Sequence, residues 1–122
     1  MFYSIGDFSK LTGLSIYTLR YYEKEKLIVP ERDNNNQRQY TERDKTWIDF
    51  ILRLKETAMP LREIQKYAKL RYEGDRTMKE RLEMLRLHRL SILEKQKALE
   101  ANLEHLDKKI ETYEEAILFH TK

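Results

Sequence analysis

The sequence predicts a mainly α chain built as a winged helix-turn-helix module over residues 1–75 followed by a long C-terminal dimerisation helix over residues 76–122. Three observations predict it. Two short helical patterns are joined across Gly13 by a tight turn. A run of three asparagines, Asn34 to Asn36, lies between short extended segments. From Thr77 onward, no glycine or proline interrupts an apolar repeat with alternating steps of four and three.

The first helix is expected to begin at Ser4, which has Asp7 three residues on in the form of a capping box. Ile5, Phe8 and Leu11 recur at helical spacing and form its expected buried face. Gly13 suits the left-handed residue that closes a helix, and Leu14 follows as a pin. Ser15 is a good N-cap for the second helix, with Ile16 and Leu19 expected inward. That leaves Ser15, Tyr17, Thr18, Arg20 and Tyr21 as candidate contacts to phosphates and base edges, on a helix of the size that fits a DNA major groove. A helical hairpin whose aromatic residues simply pack is the alternative.

Next, Leu27, Ile28 and Val29 form a β-prone run ended by Pro30. Two brief strands around the asparagine turn would make a wing, with Asn36 able to take positive φ. Thr41 and Asp44 form another capping box, opening a third helix with Trp47, Ile48, Phe50, Ile51, Leu52 and Leu54 as core. Pro60 suits the start of a fourth helix carrying Leu61, Ile64, Tyr67, Ala68 and Leu70, closed by Gly74.

Thr77 with Glu80 repeats the capping-box pattern at the start of the last helix. Its seam runs through Met78, Leu82, Leu85, Arg89, Ile92, Gln96, Leu99, Leu103, Leu106, Ile110, Tyr113 and Ile117. Such a stripe needs a partner helix, and a second copy of the chain is the expected one. Met84, Leu87, Leu90 and Leu93 widen the seam and are expected to pack on the N-terminal module.

Composition limits the alternatives. The formal net charge of +3 permits nucleic-acid binding, and residues 77–122 are neutral, with nine basic and nine acidic residues. The chain has no cysteine, which removes disulfides, thiolate metal sites and thiol sensing. His88, His105 and His120 are scattered, so no metal site is expected. No nucleophile elbow, paired-carboxylate motif or phosphate-binding glycine loop is present; the chain is not expected to be an enzyme or to carry a cofactor. No long apolar run or signal-peptide pattern appears, so a cytoplasmic protein without membrane contact is expected.

The run Thr18-Leu19-Arg20-Tyr21-Tyr22-Glu23 closely resembles the "tLRYYE" signature of the MerR family of bacterial transcription regulators. Arg38 and Tyr40 match the arginine and tyrosine of the family's wing, usually "NGYRxY", whereas Asn36 and Gln37 depart from its glycine and tyrosine. The resemblance runs through almost the whole chain. It implies a homodimer joined by an antiparallel coiled coil through Leu82, Leu85, Ile92, Leu99, Leu103, Leu106, Ile110, Tyr113 and Ile117. It also implies binding of double-stranded DNA at a pseudo-palindromic promoter operator, distortion of that DNA, and RNA polymerase as a further partner. Arg38 and Tyr40 become candidate DNA contacts, with Arg62 as a phosphate contact from a second wing. The middle of the chain resembles an aldehyde and electrophile-stress subgroup, but Arg53 stands where that subgroup often has a cysteine, so its thiol mechanism does not transfer. An aromatic junction of Tyr67, Tyr72 and Phe119 is the candidate effector site, with dry packing as its alternative. A coiled-coil scaffold protein with a non-functional helix-turn-helix is the competing functional class.

Overall fold

A computed structural model describes residues 1–120. Helices α1 (Ile5–Thr12) and α2 (Ile16–Lys24) precede a hairpin of β1 (Glu31–Arg32) and β2 (Arg38–Gln39). Helices α3 (Glu42–Glu56) and α4 (Leu61–Glu73) follow, then a 3₁₀ turn (Asp75–Thr77) and the long α5 (Met78–His120). Residues 1–84 form one compact unit and residues from 85 onward a second.

The caps expected for the first three helices form. The hydroxyls of Ser4, Ser15 and Thr41 accept from the backbone N–H of Asp7, Thr18 and Asp44. Only Thr41 has the full reciprocal box, its own N–H donating to the Asp44 carboxylate at 2.9 Å. Gly13 closes α1 at φ 76°, and Gly74 closes α4 at φ 99°. Pro60 stands one residue ahead of α4, as its N-cap.

The cap expected at Thr77 does not form as read. Its hydroxyl lies 2.6 Å from the Leu70 carbonyl and 2.8 Å from that of Gly74, and accepts from Arg81 Nε at 3.0 Å. Thr77 is buried, so its hydroxyl is used on the open carbonyl end of α4 instead of the first turn of α5. The β-prone run Leu27–Val29 is also not a strand. Leu27 and Ile28 fill the core, and the strands begin beyond Pro30.

The wing is antiparallel, with Glu31 opposite Gln39 and Arg32 opposite Arg38. Asp33 builds its tip by accepting from the N–H groups of Asn35 and Gln37, both at 2.9 Å. Asn36 takes φ 62°, as its side chain permits. Tyr3 bridges Tyr40, exchanging backbone hydrogen bonds of 2.7 and 2.9 Å, so the N-terminal residues extend the hairpin.

The core of the first unit gathers Phe8, Leu19, Tyr22, Leu27, Ile28, Trp47, Ile48, Ile51, Leu54, Ile64 and Ala68. Trp47 is the expected anchor: it is buried, and its indole N–H donates to the Leu27 carbonyl at 2.7 Å. Of the inward residues expected on α1 and α2, Phe8 and Leu19 are fully buried, whereas Leu11 and Ile16 are exposed. These short helices turn only a narrow face to the core, Phe8 on α1 and Leu19 and Tyr22 on α2.

In the second unit, α5 continues as an uninterrupted helix, about 65 Å in all at 1.5 Å per residue. Leu99, Leu103, Leu106, Ile110, Tyr113 and Ile117 are all exposed in the single chain. Leu87 and Leu90 are exposed as well, and Leu93 is half-buried.

Candidate nucleic-acid interface

The start of α2 is fixed by Ser15, whose hydroxyl holds the Thr18 N–H at 3.0 Å and lies 2.9 Å from the Thr18 hydroxyl. The same cap leaves Tyr17 80% exposed and Arg20 and Tyr21 exposed beside it. Arg20 has no ion pair among the described residues, while the next turn buries Tyr22. Lys55 of α3 donates to the Tyr22 hydroxyl at 3.1 Å and lies over its ring. One face of α2 is thus anchored and the other free for a ligand.

Glu23, at the end of the motif, joins α2 to the wing. Its carboxylate takes Arg38 Nε at 2.5 Å and Arg32 Nη2 at 2.7 Å. Burial pushes the Glu23 carboxyl up, but hydrogen bonds and charge from Arg38 and Arg32 outweigh it and hold it below its usual value. Arg20, Arg32 and Arg38 then line one recess of about 330 Å³ with Ser4, Asn36 and Gln37. The single Glu23 carboxylate offsets one of the two charges of Arg32 and Arg38, and Arg20 adds a further charge with no ion pair among the described residues.

The structure brings together Ser15, Tyr17, Thr18, Arg20, Tyr21 and Arg38 around α2 and the wing. Tyr40 is corrected. It is fully buried, its ring stacked on Phe8 with centroids 4.3 Å apart and planes 8° apart, and it cannot touch a DNA duplex. Burial pushes its hydroxyl up to about 12. Its role is to bind the wing to α1.

Arg62 is exposed at the start of α4 and lines a wider recess with Lys24, Lys26, Lys66 and Lys69. The sequence reading missed Arg32 and these lysines. Arg62, Lys66 and Lys69 follow one another by four and three, a helical spacing that would have shown their common face. Across this recess Gln65 donates to the Glu25 carbonyl at 3.1 Å, tying α4 to the end of α2.

The three residues of the aromatic junction are in different settings. Tyr67 is buried and stacked on Trp47. Tyr72 is 40% exposed, its hydroxyl accepting from the Val29 N–H at 3.0 Å. Phe119, in the second unit, is 79% exposed. Arg53 is exposed on α3, 3.9 Å from Glu56.

With this geometry in view, comparison with known proteins is specific. Residues 3–70 match the model of the MerR HTH family regulatory proteins, and residues 46–109 that of the MerR DNA-binding region. An uncharacterised HTH-type transcriptional regulator of Haemophilus influenzae is 32% identical over 117 residues, 95% of this chain and 87% of its own. The crystal structure of HiNmlR, a MerR family regulator lacking the sensor domain and bound to promoter DNA, superposes with a TM-score of 0.81 at 32% identity. That alignment covers 95% of this chain and 93% of the other. A putative MerR family regulator from Listeria monocytogenes gives a TM-score of 0.83 at 28% identity, over 92% and 86% of the two chains.

Proposed function

We propose a function from one premise: this chain belongs to the MerR HTH family of regulatory proteins. It is a DNA-binding transcription regulator. Residues 1–75 form the reading head and residues 76–122 pair two copies in an antiparallel coiled coil. The homodimer binds a pseudo-palindromic promoter operator, with α2 of each copy in the major groove. Tyr17, Thr18, Arg20 and Tyr21 make the base-edge and phosphate contacts, Ser15 adds a phosphate contact at the start of α2, and Arg38 and Arg32 present the wing. Arg62 and the α4 lysines take phosphates on the flank, and these contacts offset the cost of distorting the duplex. RNA polymerase is the further partner at that promoter. The protein works in the cytoplasm, without catalysing a reaction. No helix among the described residues is long and apolar enough to cross a membrane.

The observation that carries this reading is the free face of α2. Tyr17 and Arg20 are exposed and unengaged beside an arginine-lined recess, while the opposite face is locked into the core. The promoter DNA bound by HiNmlR supports the same class of ligand here. An effector surface around Tyr67 and Tyr72, completed by Phe119 of the second copy, would tie sensing to the dimer.

Footprinting on the DNA upstream of its own coding sequence tests the reading. Two protected half-sites are expected. Arg20→Ala and Tyr17→Ala should each lose about 1–3 kcal/mol of specific binding and keep the dimer. Unchanged footprints in both variants would refute the assignment of α2. A chain that dimerises but protects no DNA would instead be a coiled-coil scaffold.

A further inference from the structure

A third cavity lies away from the α2 face, at the junction of α3, α4 and the start of α5 within the first unit. It has a volume of about 320 Å³. Trp47, Phe50 and Tyr67 form its floor, the Trp47 and Tyr67 rings stacked with centroids 5.8 Å apart. Arg43, Arg71 and Arg81 stand around it.

None of these three guanidiniums is among the ion pairs of the described residues. Arg71 is held by the floor itself, its guanidinium carbon 4.6 Å from the centre of the Trp47 ring. Arg81 is held by Thr77 and by the Gly74 carbonyl, to which its Nη2 donates at 3.4 Å. Glu31, Asp44 and Asp75 line the adjoining recess together with the same three arginines, but none of the three carboxylates forms an ion pair with them among the described residues, and no carboxylate lines the cavity itself. An anion in the cavity would therefore meet three guanidiniums and no carboxylate, and would satisfy planar N–H pairs. The volume is at the lower end of the range for small-molecule sites, roughly 300–1,000 Å³, and suits a single ring.

We infer that this cavity binds a small aromatic carboxylate, its ring on the Trp47–Phe50–Tyr67 floor and its carboxylate between Arg43 and Arg71. Arg81 adds charge from α5, so the ligand would clamp three helices at once. The inference deepens the effector reading by naming the ligand class, and its test needs no DNA.

Trp47 is the single tryptophan of the chain and part of the floor, so its emission reads the site directly. The intact protein is titrated with benzoate at constant ionic strength, and with benzyl alcohol as the uncharged ring. A saturable response to benzoate is expected, at least about tenfold weaker for benzyl alcohol and for the Arg43→Gln/Arg71→Gln variant. Arg43→Gln alone changes only an exposed side chain and is expected to fold and to weaken benzoate measurably. Equal responses to the two probes, or no saturation with either, would overturn the site. So would a double variant that loses self-association while benzoate has no effect, because the arginines would then serve the carboxylates of a second copy. Benzoate binding with an unchanged footprint would uphold the site and sink only the effector reading.

Discussion

Glu23 shows how a side chain can shape recognition without facing DNA. It holds Arg32 and Arg38 from the two wing strands, so one carboxylate sets the wing against α2. Its pKa is depressed in the fold, so its stabilising contribution is full above the ordinary value of 4.5 and fades as pH falls through the lowered one. Acid unfolding of Glu23→Gln, followed by Trp47 emission, should be less steep in that window than wild type. The variant should also be less stable at pH 7, since two guanidiniums lose their partner. Tyr40 supplies a second test at this scale. Its hydroxyl is buried without a partner among the described residues, so Tyr40→Phe should leave thermal stability unchanged or raise it by up to about 1 kcal/mol, with DNA affinity intact. A loss of affinity would show that the buried hydroxyl matters for the wing that Tyr40 holds against α1. The motif match identified the residue types at 38 and 40 but not their direction. Period-two alternation sets both on one face, and the Glu23 partner of Arg38 marks that face as inward. The partner became visible only once α2 and the wing were folded together.

Helix ends account for much of what the sequence did and did not disclose. Ser4, Ser15, Thr41 and Gly13 were legible because each has the residue type its position demands. The ends of α2 and α3 were not, because non-glycine residues take the left-handed position. Lys26 has φ 62° and Ala58 φ 64°. Around them the paired bonds of the Schellman motif are complete: Leu27 N–H to Tyr22 O and Met59 N–H to Leu54 O, both 2.9 Å, with Lys26 to Glu23 and Ala58 to Lys55 at 3.0 Å. The motif then delivers Leu27 and Met59 into the core, and that burial offsets the backbone cost. This explains why the Leu27–Val29 run did not become a strand: its first residues are the buried exit of α2. Ala58→Gly and Lys26→Gly should each raise stability by roughly 0.5–1 kcal/mol in thermal melts, because glycine removes the left-handed penalty. Gly13→Ala should lower it by a similar amount: a Cβ there meets open space, but φ 76° is unfavourable for alanine. Opposite signs at these positions would mean that unfolded-chain entropy outweighs the local strain.

At the scale of the whole molecule, the heptad repeat was the most legible feature, since it depends only on spacing and on the absence of helix breakers. What it could not show is which side chains the first unit claims before any partner arrives. Thr77 and Arg81 are drawn into the junction, and Met84 is half-buried within that unit, whereas Leu99, Leu103 and Leu106 remain 56–69% exposed. Covering a leucine is worth about 1.5–3 kcal/mol, so a row of them gives the proposed dimer a substantial driving force. Placing two charges in that row should reverse it. Leu99→Lys/Leu103→Lys loses the apolar burial of two positions and adds the cost of enclosing two ammonium groups, and should weaken self-association by more than about a hundredfold. Sedimentation equilibrium reads that directly, and Trp47 emission should stay unchanged if the first unit keeps its fold. Operator binding should fall with dimerisation even though no reading residue has been altered, because each half-site would then be held independently. A variant that sediments as a monomer yet protects both half-sites at wild-type concentrations would show that the reading heads act alone, and the proposal that operator binding needs the pairing of two α5 helices would have to be abandoned.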